Sequence, residues 1–200
     1  MIRLCLSDDM SLCTDAEVER MLPLVPEPRR SQAMAFKHTF GRYASLKSYL
    51  MLASLLKETF GVEHVEMAVG GHGKPYLADR PDIHFSISHC KDAIAVAVSD
   101  RPVGIDVESL RSFSDSLLDK TMNPAEKAHI LSSPNPNEKF ISYWTRKEAV
   151  FKLMGTGITD NLHGILTDKT KTDTVVNPVK GYAVSVAMYS QDFPDQLCWP

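Results

Sequence analysis

Three short apolar runs follow one another at the centre of the chain: Ile83-His84-Phe85-Ser86-Ile87-Ser88-His89, Ala93 to Ser99, and Val103-Gly104-Ile105-Asp106-Val107-Glu108. The first two alternate or run apolar, and Lys91-Asp92 between them reads as a turn. The spacing predicts three consecutive β-strands. Asp106 and Glu108 stand two apart in the third run. On a strand that spacing puts both carboxylates on one face, about 6.6 Å apart along it. Read this way, Asp106 is a strand-end carboxylate outside the core.

Working outward, Phe36 to Phe60 is helical in pattern. Tyr43, Leu46, Tyr49 or Leu50, Ala53, Leu56 and Phe60 recur at three- and four-residue steps, and Gly61 is a stop. Before it, the three prolines of Pro23 to Arg30 predict a loop. Gly70 to Pro75 carries three glycines and a proline, the composition of a tight turn. After the strands, Asn123-Pro124-Ala125-Glu126 has a capping residue, a proline at the first helical position and a glutamate three residues on, so it predicts a helix start. Pro134 and Pro136 interrupt the chain. A second long helix is expected over 137–154, with Phe140, Tyr143, Trp144, Val150, Phe151 and Met154 as its buried stripe and Gly155 after it. Gly181 to Tyr189 reads as a late strand. A helix with strands therefore occurs in each half. The expectation is an α+β fold of two subdomains, residues 1–100 and 101–200, although the halves share no convincing sequence identity.

The totals are those of an ordinary globular chain. It has 200 residues, 44% hydrophobic and 24% charged, with a net charge of -3. A chain of this length buries about 70% of its unfolded surface. The charge gives no support for a nucleic-acid partner. No run of eighteen apolar residues predicts a membrane span. Met1 to Asp9 lacks the order of a signal peptide. The cysteines, Cys5, Cys13, Cys90 and Cys198, form neither CxxC nor metal-ligand spacing. Reduced thiols in a cytoplasmic protein are the expectation.

The chemistry lies in two motifs about forty residues apart, the Asp106/Glu108 run and Trp144-Thr145-Arg146-Lys147-Glu148-Ala149-Val150-Phe151-Lys152. Glu148 and Lys152 are four apart and share a helical face. Alone, such pairs are ordinarily a solvated strand edge and an exposed ion pair. Together, three carboxylates and an ammonium suit a hard cation and an anionic phosphate. Oxygen-only donors fit Mg²⁺ better than zinc. Gly73-Lys74-Pro75 places a lysine in a glycine-rich turn, without the order of a P-loop. His89 ends a strand, and Arg29, Arg30, Lys37, His38 and Arg42 cluster near the start of the first long helix, where they read either as an anion-binding patch or as ordinary surface charge.

In order, Gly73-Lys74-Pro75, Phe85-Ser86-Ile87-Ser88-His89, Gly104 to Glu108 and Trp144 to Lys152 resemble the 4′-phosphopantetheinyl transferase superfamily. The resemblance covers roughly residues 70 to 158. The length is similar to the Sfp-type branch, which folds as a pseudo-dimer of two similar α/β subdomains with the active site in the cleft between them. The chain is too long for the trimeric holo-acyl-carrier-protein synthase branch.

The resemblance implies coenzyme A as donor, Mg²⁺ as cofactor and an apo acyl or peptidyl carrier protein as acceptor, in fatty-acid, peptide or polyketide synthesis. The phosphopantetheine arm would move to a carrier serine, releasing 3′,5′-ADP, in a monomeric cytoplasmic enzyme. It also implies that Asp106, Glu108 and Glu148 hold the metal and pyrophosphate. Glu148 would act as base, directly or through water, and Lys152 would meet the phosphates. Lys74, Pro75, Ser88 and His89 would contact the nucleotide end, with His89 on the 3′-phosphate. Arg42 and Arg30 would add basic contacts. Ser86 departs from the family, which often has an amide there.

Overall fold

The computed structural model describes residues 1–71, 73–157 and 161–200. Two three-stranded antiparallel sheets organise them. The first has the order β1 (Ile2–Ser7), β5 (Ile94–Ser99), β4 (His84–His89), and the second β6 (Gly104–Ser109), β8 (Tyr182–Tyr189), β7 (Thr170–Asn177). A separate hairpin joins β2 (Met67–Val69) to β3 (Pro75–Leu77) across the glycine-rich turn, whose His72 lies outside the described residues. The helices are α1 (Asp15–Met21), α2 (Glu27–Met34), α3 (Thr39–Phe60), α4 (Asp115–Thr121), α5 (Pro124–Leu131) and α6 (Pro136–Met154).

Central strand β5 explains the layering. Its Ile94, Val96 and Val98 join a core with α3, where Tyr43, Leu46, Leu52 and Leu56 are fully buried. Each such aliphatic side chain contributes about 1.5–3 kcal/mol by leaving water. The alternate residues Ala93, Ala95 and Ala97 turn the other way, onto Val103, Ile105 and Val107 of the β6 region and Val184 and Val186 of β8. The far face of the second sheet is covered by α6 through Ala149, Val150 and Phe151, with Ala183 and Ala187 beneath the helices. The order of layers is therefore helix, sheet, sheet, helix.

The two sheets also meet edge to edge, by an unusual bond. Ser86 Oγ accepts from the Ile105 amide at 3.0 Å, and Ser88 Oγ accepts from the Val107 amide at 3.2 Å. Serine hydroxyls thus satisfy amides of β6 that would otherwise be orphaned at a strand edge.

The expected strands, the late strand and both long helices are present. Gly61 and Gly155 end α3 and α6 in the left-handed conformation, with φ 67° and 68°, which a residue without Cβ adopts freely. The Asn123 capping box closes as anticipated. Three expectations are corrected. Residues 23–30 are not all loop, because Pro28 sits at the second position of α2, where its missing N–H is unneeded. The first long helix starts at Thr39, because His38 is extended. Met154 is 39% exposed rather than part of the buried stripe, since α6 ends there; Tyr143 and Trp144 are half-buried. All four cysteines are free. No helix among the described residues is long and apolar enough to cross a membrane.

Candidate active site

Asp106 lies mid-strand in β6, opposite Ser185 of β8, and is only 3% exposed. This corrects the strand-end reading: β6 has β8 on one side and the serines of β4 on the other. One carboxylate oxygen, Oδ1, accepts from Ser88 Oγ at 2.8 Å and from Lys152 Nζ at 2.7 Å. The other, Oδ2, is buried and has no hydrogen-bond partner among the described residues. An unsatisfied buried carboxylate oxygen is expensive, so it marks a place where a cation or donor is wanted.

Helix α6 delivers Glu148 and Lys152. It reaches the sheet because Gly104 has no side chain: a Cβ there would lie 1.9 Å from the Ala149 carbonyl oxygen and 2.5 Å from the Leu153 nitrogen. The helix backbone is seated on the glycine. Lys152 does not pair with Glu148; its ammonium bridges instead to Asp106 and to the Ile87 carbonyl at 3.5 Å, joining the two sheets.

The three carboxylates share one electrostatic neighbourhood. Burial, then the charges of Asp106 and Glu108, push Glu148 up to about 7, against the opposing pull of Lys152. Burial and then Asp106 also raise Glu108, against Arg111, Trp144 and Lys152. Glu148 therefore titrates near neutrality, where a carboxylate can take up a proton. Among the described residues no three His, Cys, Asp or Glu side chains are gathered into a metal cage. A hard divalent ion needs less, often one or two carboxylates completed by water and substrate oxygens. The free Asp106 Oδ2 beside crowded Glu108 and Glu148 fits that demand.

Two cavities adjoin this cluster. One, of about 280 Å³, is lined by Glu148, Lys152, Lys74, Pro75, Ser86 and Ile87 among others. The second, of about 690 Å³, is lined by residues including Arg29, Tyr49, His64, Glu66 and His89. They share Gly73, Pro75 and Ile87, so one continuous concavity runs from the carboxylates to α2.

The other expected contacts divide. His89 faces the larger cavity, edge-on to Phe40 at 5.7 Å. The protein packed around its ring, and secondarily Lys152, hold it below the usual imidazole range. Lys74 borders the smaller cavity, but its ammonium donates to the carbonyls of Leu153 at 3.1 Å and Val103 at 3.3 Å. Burial lowers it to about 8. Ser88 is spent on Asp106 and Val107, while Ser86 lines the smaller cavity. Arg30 and Arg42 line neither cavity. Arg30 donates to the Val25 carbonyl and pairs with Glu27, and Arg42 donates to the Phe36 carbonyl.

Arg29 was read only as one member of a basic cluster, and Lys147 carried no role in the sequence reading. Arg29 lines the larger cavity. Lys147, fully buried, donates to Glu126 Oε2 at 2.7 Å and to the carbonyls of Thr121 at 2.9 Å and Leu162 at 2.6 Å. It ties α6 to the end of α4, the start of α5 and the segment after α6. The tight turn of α5 was legible; that its capping glutamate holds a lysine was not.

Known proteins are similar to this chain in sequence. The family model of the 4′-phosphopantetheinyl transferase superfamily matches residues 102–192. The 4′-phosphopantetheinyl transferase psf-1 of Bacillus pumilus is 29% identical over 150 residues, 73% of this chain and 64% of that protein. The 4′-phosphopantetheinyl transferase Sfp of Bacillus subtilis (strain 168) is 24% identical over 146 residues, 71% of this chain and 65% of that protein. The 4′-phosphopantetheinyl transferase ffp of Bacillus subtilis is 24% identical over 200 residues, 90% of this chain and 89% of that protein. The chain thus spans a little under two thirds of psf-1 and of Sfp and most of ffp. On these matches the chain is similar to the 4′-phosphopantetheinyl transferase superfamily, through the family model over residues 102–192 and through relatives that bear the transferase name over most of its length.

Proposed function

We propose that the protein transfers the 4′-phosphopantetheine arm of coenzyme A to a serine hydroxyl of an apo acyl or peptidyl carrier protein, releasing 3′,5′-ADP, with Mg²⁺ as cofactor. The observation that carries the reading is the Asp106–Lys152 ion pair, with Glu108 and Glu148 beside it, next to a concavity made of cavities of about 280 Å³ and 690 Å³. The relatives bear the transferase name. We also read residues 1–100 and 101–200 as the two halves of a pseudo-dimer, with the concavity as the cleft between them. A cytoplasmic monomer fits this reading.

In this mechanism Asp106 and Glu108, with Glu148 adjoining, would hold the magnesium ion, whose charge would offset that of the pyrophosphate when bound. The carrier serine oxygen bonds to the phosphorus that bears the pantetheine arm. The bond from that phosphorus to the bridging oxygen breaks, and 3′,5′-ADP departs with the electron pair. Glu148, titrating near 7, takes the serine proton, directly or through water. Lys152 stands where negative charge grows on the departing phosphate, and Ser88 and Lys152 fix the Asp106 carboxylate. Positioning and charge neutralisation supply most of such a rate. Lys74 braces the β2–β3 hairpin against β6 and α6 while its stem lines the site.

Mass spectrometry of apo-carriers incubated with coenzyme A and Mg²⁺ tests this. The expected result is a gain of the phosphopantetheine mass on one serine. Release of free phosphopantetheine, with every acyl and peptidyl carrier unmodified, would overturn it.

A further inference from the structure

A row of hydroxyls crosses the second sheet beneath α6, at the level of Asp106. Register places Ser185 of β8 directly opposite Asp106 of β6, and Thr174 of β7 directly opposite Ser185. Opposite residues of antiparallel strands share a face, with Cβ atoms about 4.5–5.5 Å apart. Asp106 meets α6 through Lys152, so Ser185 and Thr174 lie on the helix-covered face with it. Ser185 Oγ bonds to Thr174 Oγ1 at 2.8 Å and to Thr145 Oγ1 of α6 at 2.7 Å. Thr145 and Ser185 are fully buried.

One proton per hydroxyl fixes the direction of this chain. Thr145 donates to the Ser142 carbonyl at 3.2 Å. Its oxygen therefore accepts from Ser185, and Ser185 accepts from Thr174. Every proton in the row is spent, and Ser185 has none left for the buried Asp106 Oδ2 across the strand. The apolar contact at this crossing offers little to stop the helix sliding. It is made by Gly104 and Ala149, with Ala187 in the same cluster as Ala149. Directional bonds hold the level instead. Arg146 donates to Thr172 of β7 at 2.8 Å, Lys152 to Asp106 of β6, and Thr145 meets the central strand. Thr145, Glu148 and Lys152 follow at three- and four-residue steps, on one helical face.

Resting on the transferase reading above, we propose that Thr145 is a positioning residue for the transfer. Through Ser185 it pins α6 to β8 at the level of Asp106, and so keeps Lys152 on the Asp106 carboxylate. Thr145 itself touches neither the donor nor the carrier.

A double-mutant cycle on the full chain tests this, with carrier modification followed by mass spectrometry and rates taken per folded protein. Thr145→Val keeps the shape and removes the hydroxyl. It should lower kcat about tenfold, the rate equivalent of one hydrogen bond, with KM for coenzyme A changed less than about twofold. Thr145→Ser keeps the hydroxyl and should restore kcat to within about twofold of the parent. In a Lys152→Ala background, Thr145→Val should cost less than about twofold more, because the residue it acts through is gone. Thr145 and Lys152 are seven residues apart, about 10 Å along the helix, where independent substitutions add. A full tenfold loss in the Lys152→Ala background would therefore overturn the proposal. So would a Thr145→Val protein that unfolds at lower urea yet keeps the parental kcat, the mark of a merely structural bond. Should Thr145→Val fail to fold, Ser185→Ala removes the same bond from the sheet's side and takes its place in the cycle. Either of these results with a parent that modifies carriers defeats this inference alone. A parent that modifies no carrier defeats the transferase reading, and this inference with it.

Discussion

Replacing Gly104 with alanine should disable the site from a position that touches no substrate. The added Cβ would stand 1.9 Å from the Ala149 carbonyl oxygen, about 1.1 Å inside the 3.0 Å below which real Cβ contacts essentially never fall. Its near neighbours are backbone atoms of α6, so no side-chain rotation relieves the overlap. The helix must lift from the sheet by about an ångström. Overpacking of this kind costs about 1–3 kcal/mol of stability. Lys152 sits 2.7 Å from Asp106, so a shift of that size takes the ion pair beyond hydrogen-bond length. A displacement of about 1 Å at a reacting centre lowers a rate about a hundredfold. Urea denaturation and the rate of carrier modification by mass spectrometry measure the two effects. Adding Ala149→Gly should restore neither, since the clash is with the carbonyl and not with the methyl group. Parent-like stability and rate in Gly104→Ala would refute the claim that α6 is seated on this glycine.

Lys152→Ala should lower turnover by about two orders of magnitude, roughly 3 kcal/mol of barrier, while calorimetry still detects coenzyme A binding. Near-parental turnover would reduce Lys152 to a structural cation. Lys147→Met should destabilise the fold by about 3–5 kcal/mol by stranding Glu126, and Lys147→Met with Glu126→Leu should recover much of that in a denaturation cycle. Equal losses in the single and double variants would contradict the ion-pair account. Glu148→Gln should be inactive in the carrier assay yet, in chelated buffer, more stable than the parent at pH 8. The parent's Glu148 titrates near 7 when folded and near 4.5 when unfolded, so its penalty grows as pH rises through that window and is absent below about 4.5. A stability difference that does not change between pH 4 and pH 8 would show that Glu148 is not crowded by its neighbours.

Much of this was legible because apolar periodicity is strong where an element packs on one side. The strands of residues 83–109 and helices α3 and α6 carried it, and Asn123 announced α5 by its cap. Strand β7, Thr170–Asn177, was not legible: its alternating threonines, lysine and aspartate describe an edge strand with little apolar signal. Strand β1 is also an edge, and α1 is only seven residues long. That Asp106, Glu108, Glu148 and Lys152 lie in one neighbourhood follows from two elements that each fix a face by their spacing, a strand at two residues and a helix at four. The basic contacts were harder. Which of Arg29 and Arg30 faces the cavity depends on the phase of α2, and three prolines masked that helix as a loop. Lys147 could not be found from local pattern, since its partners lie 15 to 26 residues away on three separate segments.

Strand β5 has no solvent side, and its two faces are of different calibre. Large branched residues fill the space under α3, whereas Ala93, Ala95 and Ala97 meet the second sheet with single methyl groups. Those alanines act as shims. They set how near the second sheet lies, and therefore how wide the concavity opens between Ile87 on one wall and Lys152 on the other. The gape of the site is thus gauged by three small residues that never touch its contents. Enlarging one would pry the walls apart and draw Lys152 away from the Ile87 carbonyl without altering any residue of the site, so the reach between binding and chemistry is tuned from inside the molecule.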